Sequence, residues 1–220
     1  MGDSKFDLHG RICMSRDLLE IFQRKMDDDT LVKVALECAP LIAGLRIANI
    51  ITIKREGLKV LKHIFGETGI TFYMASSDRE KLTLILFRED LMKGYLKQKK
   101  VQDLLRKMGY PDTSMYELLY LFSLRYRNYI EGKDEFPHEM GIFLGYPIED
   151  VIGFLKNDGK NFQAVGYWKV YQNKREKMRL FERFEEAKEK MILLVSSGMS
   201  IKEAIGICNT GLHHNQELAC

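Results

Sequence analysis

Residues 70–87 read ITFYMASSDREKLTLILF, and this stretch decides the fold. Two runs rich in Ile, Thr, Phe and Leu, 70–75 and 82–87, flank the polar segment Ser76-Ser77-Asp78-Arg79-Glu80-Lys81. Side chains of this kind fit a pleated, half-buried surface. A polar connection between two such runs gives a β-hairpin, here with a turn longer than the favoured two residues. Toward the N-terminus, the β-branched 50–54 predicts a third strand. Residues 58–65 predict a short helix that Gly66 ends. Strand, helix and hairpin together imply a small sheet that helices must cover.

The flanks supply those helices. Ser15 or Asp17 is placed to cap a helix carrying Leu18, Leu19, Phe22 and Met26, which the run Asp27-Asp28-Asp29 breaks. Leu31, Val34, Ala35, Cys38, Leu41, Ile42 and Leu45 follow helical spacing. Pro40 lies inside that pattern and either kinks the helix or opens a second one. After the hairpin, helices are expected over 89–96 and 98–108. Ser114 and Glu117 form a capping box for a helix with Met115, Leu118, Leu119, Phe122, Tyr126 and Ile130 on one side. Residues 174–195 form a long amphipathic helix with Met178, Phe181, Met191 and Leu194 inward. Ser200 and Glu203 cap a short last one. The expected class is α+β: a small, mostly antiparallel sheet made of the 70–87 hairpin and the 50–54 strand, with 165–171 as a further candidate strand, covered by helices. Residues 1–208 read as one domain and 209–220 as a disordered tail.

Composition narrows the function classes. The 220 residues carry a formal net charge of +3, too little to imply a polyanion partner. A local excess over 88–107, seven basic residues against three acidic, reads as a solvated helical face, and nucleic-acid binding is not expected. The four cysteines are scattered without a C-x-x-C pair, which points to a reducing compartment. Residues 1–16 lack an apolar signal core, and no run approaches the ~20 apolar residues that span a bilayer. The expectation is a cytoplasmic protein without membrane partners. There is no G-x-G-x-x-G after a strand, no P-loop, no G-x-S-x-G and no H-x-x-x-H.

The segment 136–171, FPHEMGIFLGYPIEDVIGFLKNDGKNFQAVGYWKVY, differs from the rest. Pro137 and Pro147 stand where helices begin, and Gly145 and Gly159 where they end, so two short helices are expected at about 138–144 and 147–157. In the extended piece after them, Tyr167, Lys169 and Tyr171 face one way and Gly166, Trp168 and Val170 the other. The strings F-P-H-E-x-G-x-F-L-G-Y-P, E-D-V-x-G-F and G-x-W-K-V-Y, with Cys38-Ala39-Pro40 and Leu45 near the front, resemble an uncharacterised bacterial family, domain of unknown function 3793. The resemblance covers roughly residues 15–195 and implies no established activity or cofactor. Two positions depart from the family's pattern. Ala164-Val165 stands where a Cys is expected, and Arg46 where a Lys is expected.

His138 and Glu139 are the candidate catalytic residues, with His138 as the acid/base group, since imidazole chemistry operates near neutrality. Both residue types also serve at helix starts. Neighbours on a helix point about 100° apart, so a carboxylate from elsewhere is needed to orient His138. Asp150 and Glu149 follow Pro147, the ordinary place for helix-capping acids. Lys169, Tyr171, Asp150 and Trp168 are the candidate ligand contacts: an anion contact, a hydrogen-bond donor, a carboxylate and a stacking ring. Cys38 shares the apolar stripe of Val34 and Ala35 and reads as an inert buried thiol. No metal site is expected from ligand spacing. Two function classes stand: a small-molecule-binding protein, enzymatic or not, with its pocket in 136–171, and a non-catalytic adaptor that presents the same turns to a protein.

Overall fold

The computed structural model describes the backbone of residues 29–215 and side chains through Asn209. The helix expected around Leu18 to Met26 lies outside the described residues. At the centre is a three-stranded antiparallel sheet of β1 (Ala48–Lys54), β2 (Ile70–Ser77) and β3 (Lys81–Arg88), in the order β1-β3-β2. The hairpin closes through Asp78, whose Oδ1 accepts from Glu80 N at 2.8 Å and Lys81 N at 2.7 Å. Such an Asx turn replaces the backbone bonds a tighter turn would make. The β2–β3 register shifts between Met74 and Ser76, so Ala75 is inserted without a partner.

β3 is buried from Leu82 to Phe87 because helices cover both faces of the sheet. Leu82, Leu84 and Leu86 face one layer, and Ile85 and Phe87 the other. That double burial explains why LTLILF is nearly continuous apolar sequence. The first layer comprises α1 (Asp29–Glu37), α2 (Ala39–Ile42), α3 (Gly57–Phe65), the end of α9 (Lys174–Ser196) and α10 (Ile201–Asn215). The second comprises α4 (Glu89–Leu96), α5 (Lys99–Lys107), α6 (Met115–Ile130), α7 (Met140–Phe143) and α8 (Ile148–Lys156). Each fully buried Leu or Ile contributes about 1.5–3 kcal/mol. The fold is therefore α+β, with three sheet strands and a separate two-stranded hairpin, β4 (Ala164–Val165) and β5 (Lys169–Val170).

That small hairpin corrects the reading of 165–171 as a strand of the main sheet. β4 and β5 pair only with each other, and Gly166 to Trp168 form the turn. Pro40 opens α2 after a break at Cys38, the second of its two expected roles. Both capping bonds are present: Glu117 N donates to Ser114 Oγ and Glu203 N to Ser200 Oγ, each at 3.3 Å. On α6, Met115, Leu118, Leu119 and Phe122 are buried, but Ile130 is 54% exposed at the helix end. Beyond Ser200 the last helix runs from Ile201 to Asn215. No helix among the described residues is long and apolar enough to cross a membrane.

Candidate functional site

α7 is a single turn, and Pro137 launches it: Met140 N donates to Pro137 O at 3.0 Å and Ile142 N to Glu139 O at 2.8 Å. It stops at Gly145, which has φ +66° and lies so close to Ile47 that a Cβ would meet it at 2.7 Å. A side chain there would be both strained and crowded. Tyr95 Oη fixes the next step by donating to Tyr146 O at 2.6 Å. Pro147 then opens α8.

Between these two short helices lies a hollow of about 250 Å³. Met140, Gly141 and Leu144 come from the α7 turn, and Asp150, Val151 and Phe154 from α8. Trp168 and Tyr146 also line it, stacked at 5.0 Å with 28° between their planes. Phe136, His138 and Lys169 complete it. Behind Tyr146 stands Arg46, its guanidinium 5.7 Å from the ring centroid and bonded to Asn49 Oδ1 at 3.0 Å. Burial lowers its pKa.

The structure brings His138 and Lys169 to this one hollow, turns Glu139 away from it, and engages Asp150, in its wall, with donors from the second hairpin. The exposed imidazole lies 5.5 Å from the Phe136 ring and 5.2 Å from Phe154. Its nitrogens make no hydrogen bond among the described residues. Lys169 Nζ donates to Gly159 O at 2.7 Å and lies over Phe154 and Phe162, 5.5 and 5.2 Å from their centroids. Glu139, 4% exposed, turns inward, where Tyr110 Oη donates to it at 2.9 Å and Arg125 at 3.0 Å. Burial and this carboxylate together push the Tyr110 phenol well above its usual range. Glu139 thus ties α7 to the loop before α6 and does not touch His138.

Asp150 is 2% exposed and accepts three hydrogen bonds. Its Oδ2 accepts from Trp168 Nε1 at 2.8 Å, and its Oδ1 from Tyr171 N at 2.7 Å and Gln172 N at 3.1 Å. It does not cap its own helix. It clamps the start of α8 onto β5. Glu149 likewise reaches across, to Lys177 at 3.2 Å. Trp168 is 9% exposed and packs edge-on to Phe181 at 4.6 Å. Tyr171 does not share the hollow with Lys169. Its ring presses on Gly153, where a Cβ would meet Tyr171 Cβ at 2.5 Å, and its buried hydroxyl has no partner among the described residues. Burial, with Asp150 adding to it, raises this phenol's pKa.

The apolar walls were missed at the level of sequence. Their signal was present: 140, 141 and 144 share one helical face, as do 150, 151 and 154. Among the described residues no group of three or more His, Cys, Asp or Glu is placed to hold a metal ion. Cys38 is fully buried, with Asn49 Nδ2 3.8 Å from its sulfur. Burial pushes the thiol up to about 12.

Neither the curated proteins nor the solved structures give a match to this chain. The family described as Protein of unknown function (DUF3793) matches residues 34–205, which include the whole of the hollow, and the chain belongs to that family.

Proposed function

We propose that the protein binds a small, largely apolar molecule in the hollow between α7 and α8. Trp168 and Tyr146 supply the stacking surface, and His138 and Lys169 the polar contacts. The observation that carries this reading is the shared position of His138 and Lys169 beside walls that are otherwise almost wholly apolar. Pockets of this kind orient a ligand with a few polar groups and bind it through apolar area. The reading is one of binding first. His138 has no carboxylate to orient it among the described residues, because Glu139 and Asp150 are committed elsewhere, and an acid/base role rests on a ligand's own groups meeting the imidazole.

The adaptor reading draws on a different observation: Tyr116, Tyr120 and Leu124, at helical spacing on α6, are 46%, 50% and 37% exposed. The two readings separate in one experiment. Trp168 is the sole tryptophan of the chain, so its emission reports directly on the hollow. Titration with small aromatic probes shifts that emission saturably and raises the melting temperature, since a ligand at 100 times its Kd stabilises by about 2.7 kcal/mol. His138→Ala, at an exposed position, keeps the fold and weakens binding. Gly141→Val narrows the hollow, because a Cβ there lies 3.1 Å from Val151 and 3.3 Å from Tyr146. Emission unmoved by every probe, or binding unaffected by Gly141→Val in a folded protein, overturns the proposal.

A further inference from the structure

Resting on that reading, we infer that the hollow selects aromatic monocarboxylates: one or two fused rings against Trp168 and Tyr146, with the carboxylate on the Lys169 ammonium. The inference comes from asking which groups at the hollow have unspent bonding capacity, and of what sign.

Two charged side chains of opposite sign line it, Asp150 and Lys169. The carboxylate is spent. It takes three N–H donors and sits in the first turn of α8, where the helix dipole offsets a negative charge. At 2% exposure and with three N–H donors on it, it has little left to offer a ligand. The ammonium is not spent. One of its three hydrogens goes to Gly159 O, and its other neighbours are the faces of Phe154 and Phe162. No carboxylate among the described residues lies within ion-pair distance of it. A half-buried cation held by one carbonyl and two aromatic rings is oriented but not neutralised. Gly159, at φ +69°, gives this lysine its seat: a Cβ there would lie 3.3 Å from Nζ and 3.0 Å from the Phe154 ring. The unmet demand at the hollow is therefore for an anion.

Size and donor count narrow the class. A cavity of roughly 150 Å³ holds one benzene, so about 250 Å³ admits a second fused ring and no long chain. Phosphate groups call for several donors or an arginine fork. Here the hollow offers one lysine and one exposed imidazole, so a single-charge head fits and a phosphate ester does not. His138 lines the same hollow, against the Phe154 ring that Lys169 also lies over.

The test uses isosteric probes on the full chain, read by Trp168 emission and by calorimetry: 2-naphthoate, the neutral 2-naphthamide, the cationic 2-naphthylmethylamine and 2-naphthyl phosphate. The expected order is naphthoate first, by about tenfold over the amide, with the amine weakest and the phosphate no tighter than the carboxylate. Lys169→Met brings naphthoate to within about twofold of the amide while amide binding persists, and Lys169→Arg keeps the preference. Naphthoate and amide binding equally to the wild type overturns the anion assignment and leaves the hollow a binding site. Tighter binding of the phosphate overturns the monoanion assignment. No probe binding at all overturns the binding reading itself. The wild-type comparison decides the matter even if Lys169→Met fails to fold.

Discussion

Replacing Asp150 by Asn tests the clamp on which the hollow depends. The substitution is isosteric, so it opens no cavity and its cost is one of hydrogen bonding. The carboxylate accepts from Trp168 Nε1 through one oxygen and from Tyr171 N and Gln172 N through the other. An amide has a single oxygen. Kept on the two backbone donors, it turns its NH2 toward the indole N–H, donor against donor. That removes one hydrogen bond to a charged acceptor, worth about 1.5–3 kcal/mol. The two remaining bonds lose their charge assistance, which roughly doubles such bonds. The expected total is about 2.5–4 kcal/mol of destabilisation. Trp168→Phe isolates the indole part, because without the N–H the amide introduced by Asp150→Asn has nothing to oppose. In that background Asp150→Asn costs about 1 kcal/mol, so the cycle shows a coupling of about 1.5–3 kcal/mol. Urea unfolding of the four proteins, followed by far-UV circular dichroism since two of them lack tryptophan, measures it. Single-mutant costs that add to within about 0.5 kcal/mol refute the clamp.

Gly153→Ala raises helix propensity by about 1 kcal/mol. Its methyl would nevertheless meet Tyr171 Cβ at 2.5 Å and Cγ at 2.4 Å, atoms too near the backbone to swing aside. Overpacking of this kind costs about 1–3 kcal/mol, so the melting temperature falls; a rise would mean that Tyr171 does not lie on α8. Cys38, buried with its thiol pushed up to about 12, resists iodoacetamide at pH 8 in the folded protein and is labelled only through unfolding. Peptide mapping that finds it alkylated as fast as in urea would contradict its placement. The shift also has a sign in stability. A raised thiol pKa stabilises the fold fully below the ordinary 9.0 and progressively less as pH rises from there toward about 12. The slope is about 1.4 kcal/mol per pH unit, and Cys38→Ala flattens it.

The main sheet was legible because its strands carry their own pattern. β3 lies between two helical layers, so almost every side chain from Leu82 to Phe87 is apolar, and Asp78 marks the turn with chemistry visible in the sequence. Helix starts at Ser114 and Ser200 were legible for the same reason: a cap is a local bond between residues three apart. β4 and β5 have two residues each. A ladder that short leaves no periodicity, and alternation through Tyr167, Trp168 and Lys169 cannot be told from a turn. Hence alternation alone groups Tyr171 with Lys169, whereas the turn places Tyr171 against Gly153 of α8.

The candidate site was legible in composition and illegible in partnership. The segment 136–171 concentrates acids, a histidine, a lysine and aromatic rings, and each acid suits catalysis, helix capping or a tertiary tie equally well by type. What separates them is which donor arrives from a distant part of the chain. Tyr110 and Arg125 reach Glu139 from the loop before α6 and from α6 itself, and Trp168, Tyr171 and Gln172 reach Asp150 from the second hairpin. Once those donors are counted, both acids act as structural ties, while His138 and Lys169 keep unused capacity at the hollow. A polar residue's function is therefore fixed by its unspent valence. The sequence shows how many bonds each side chain is able to make, and only the fold shows how many remain to be made with a ligand.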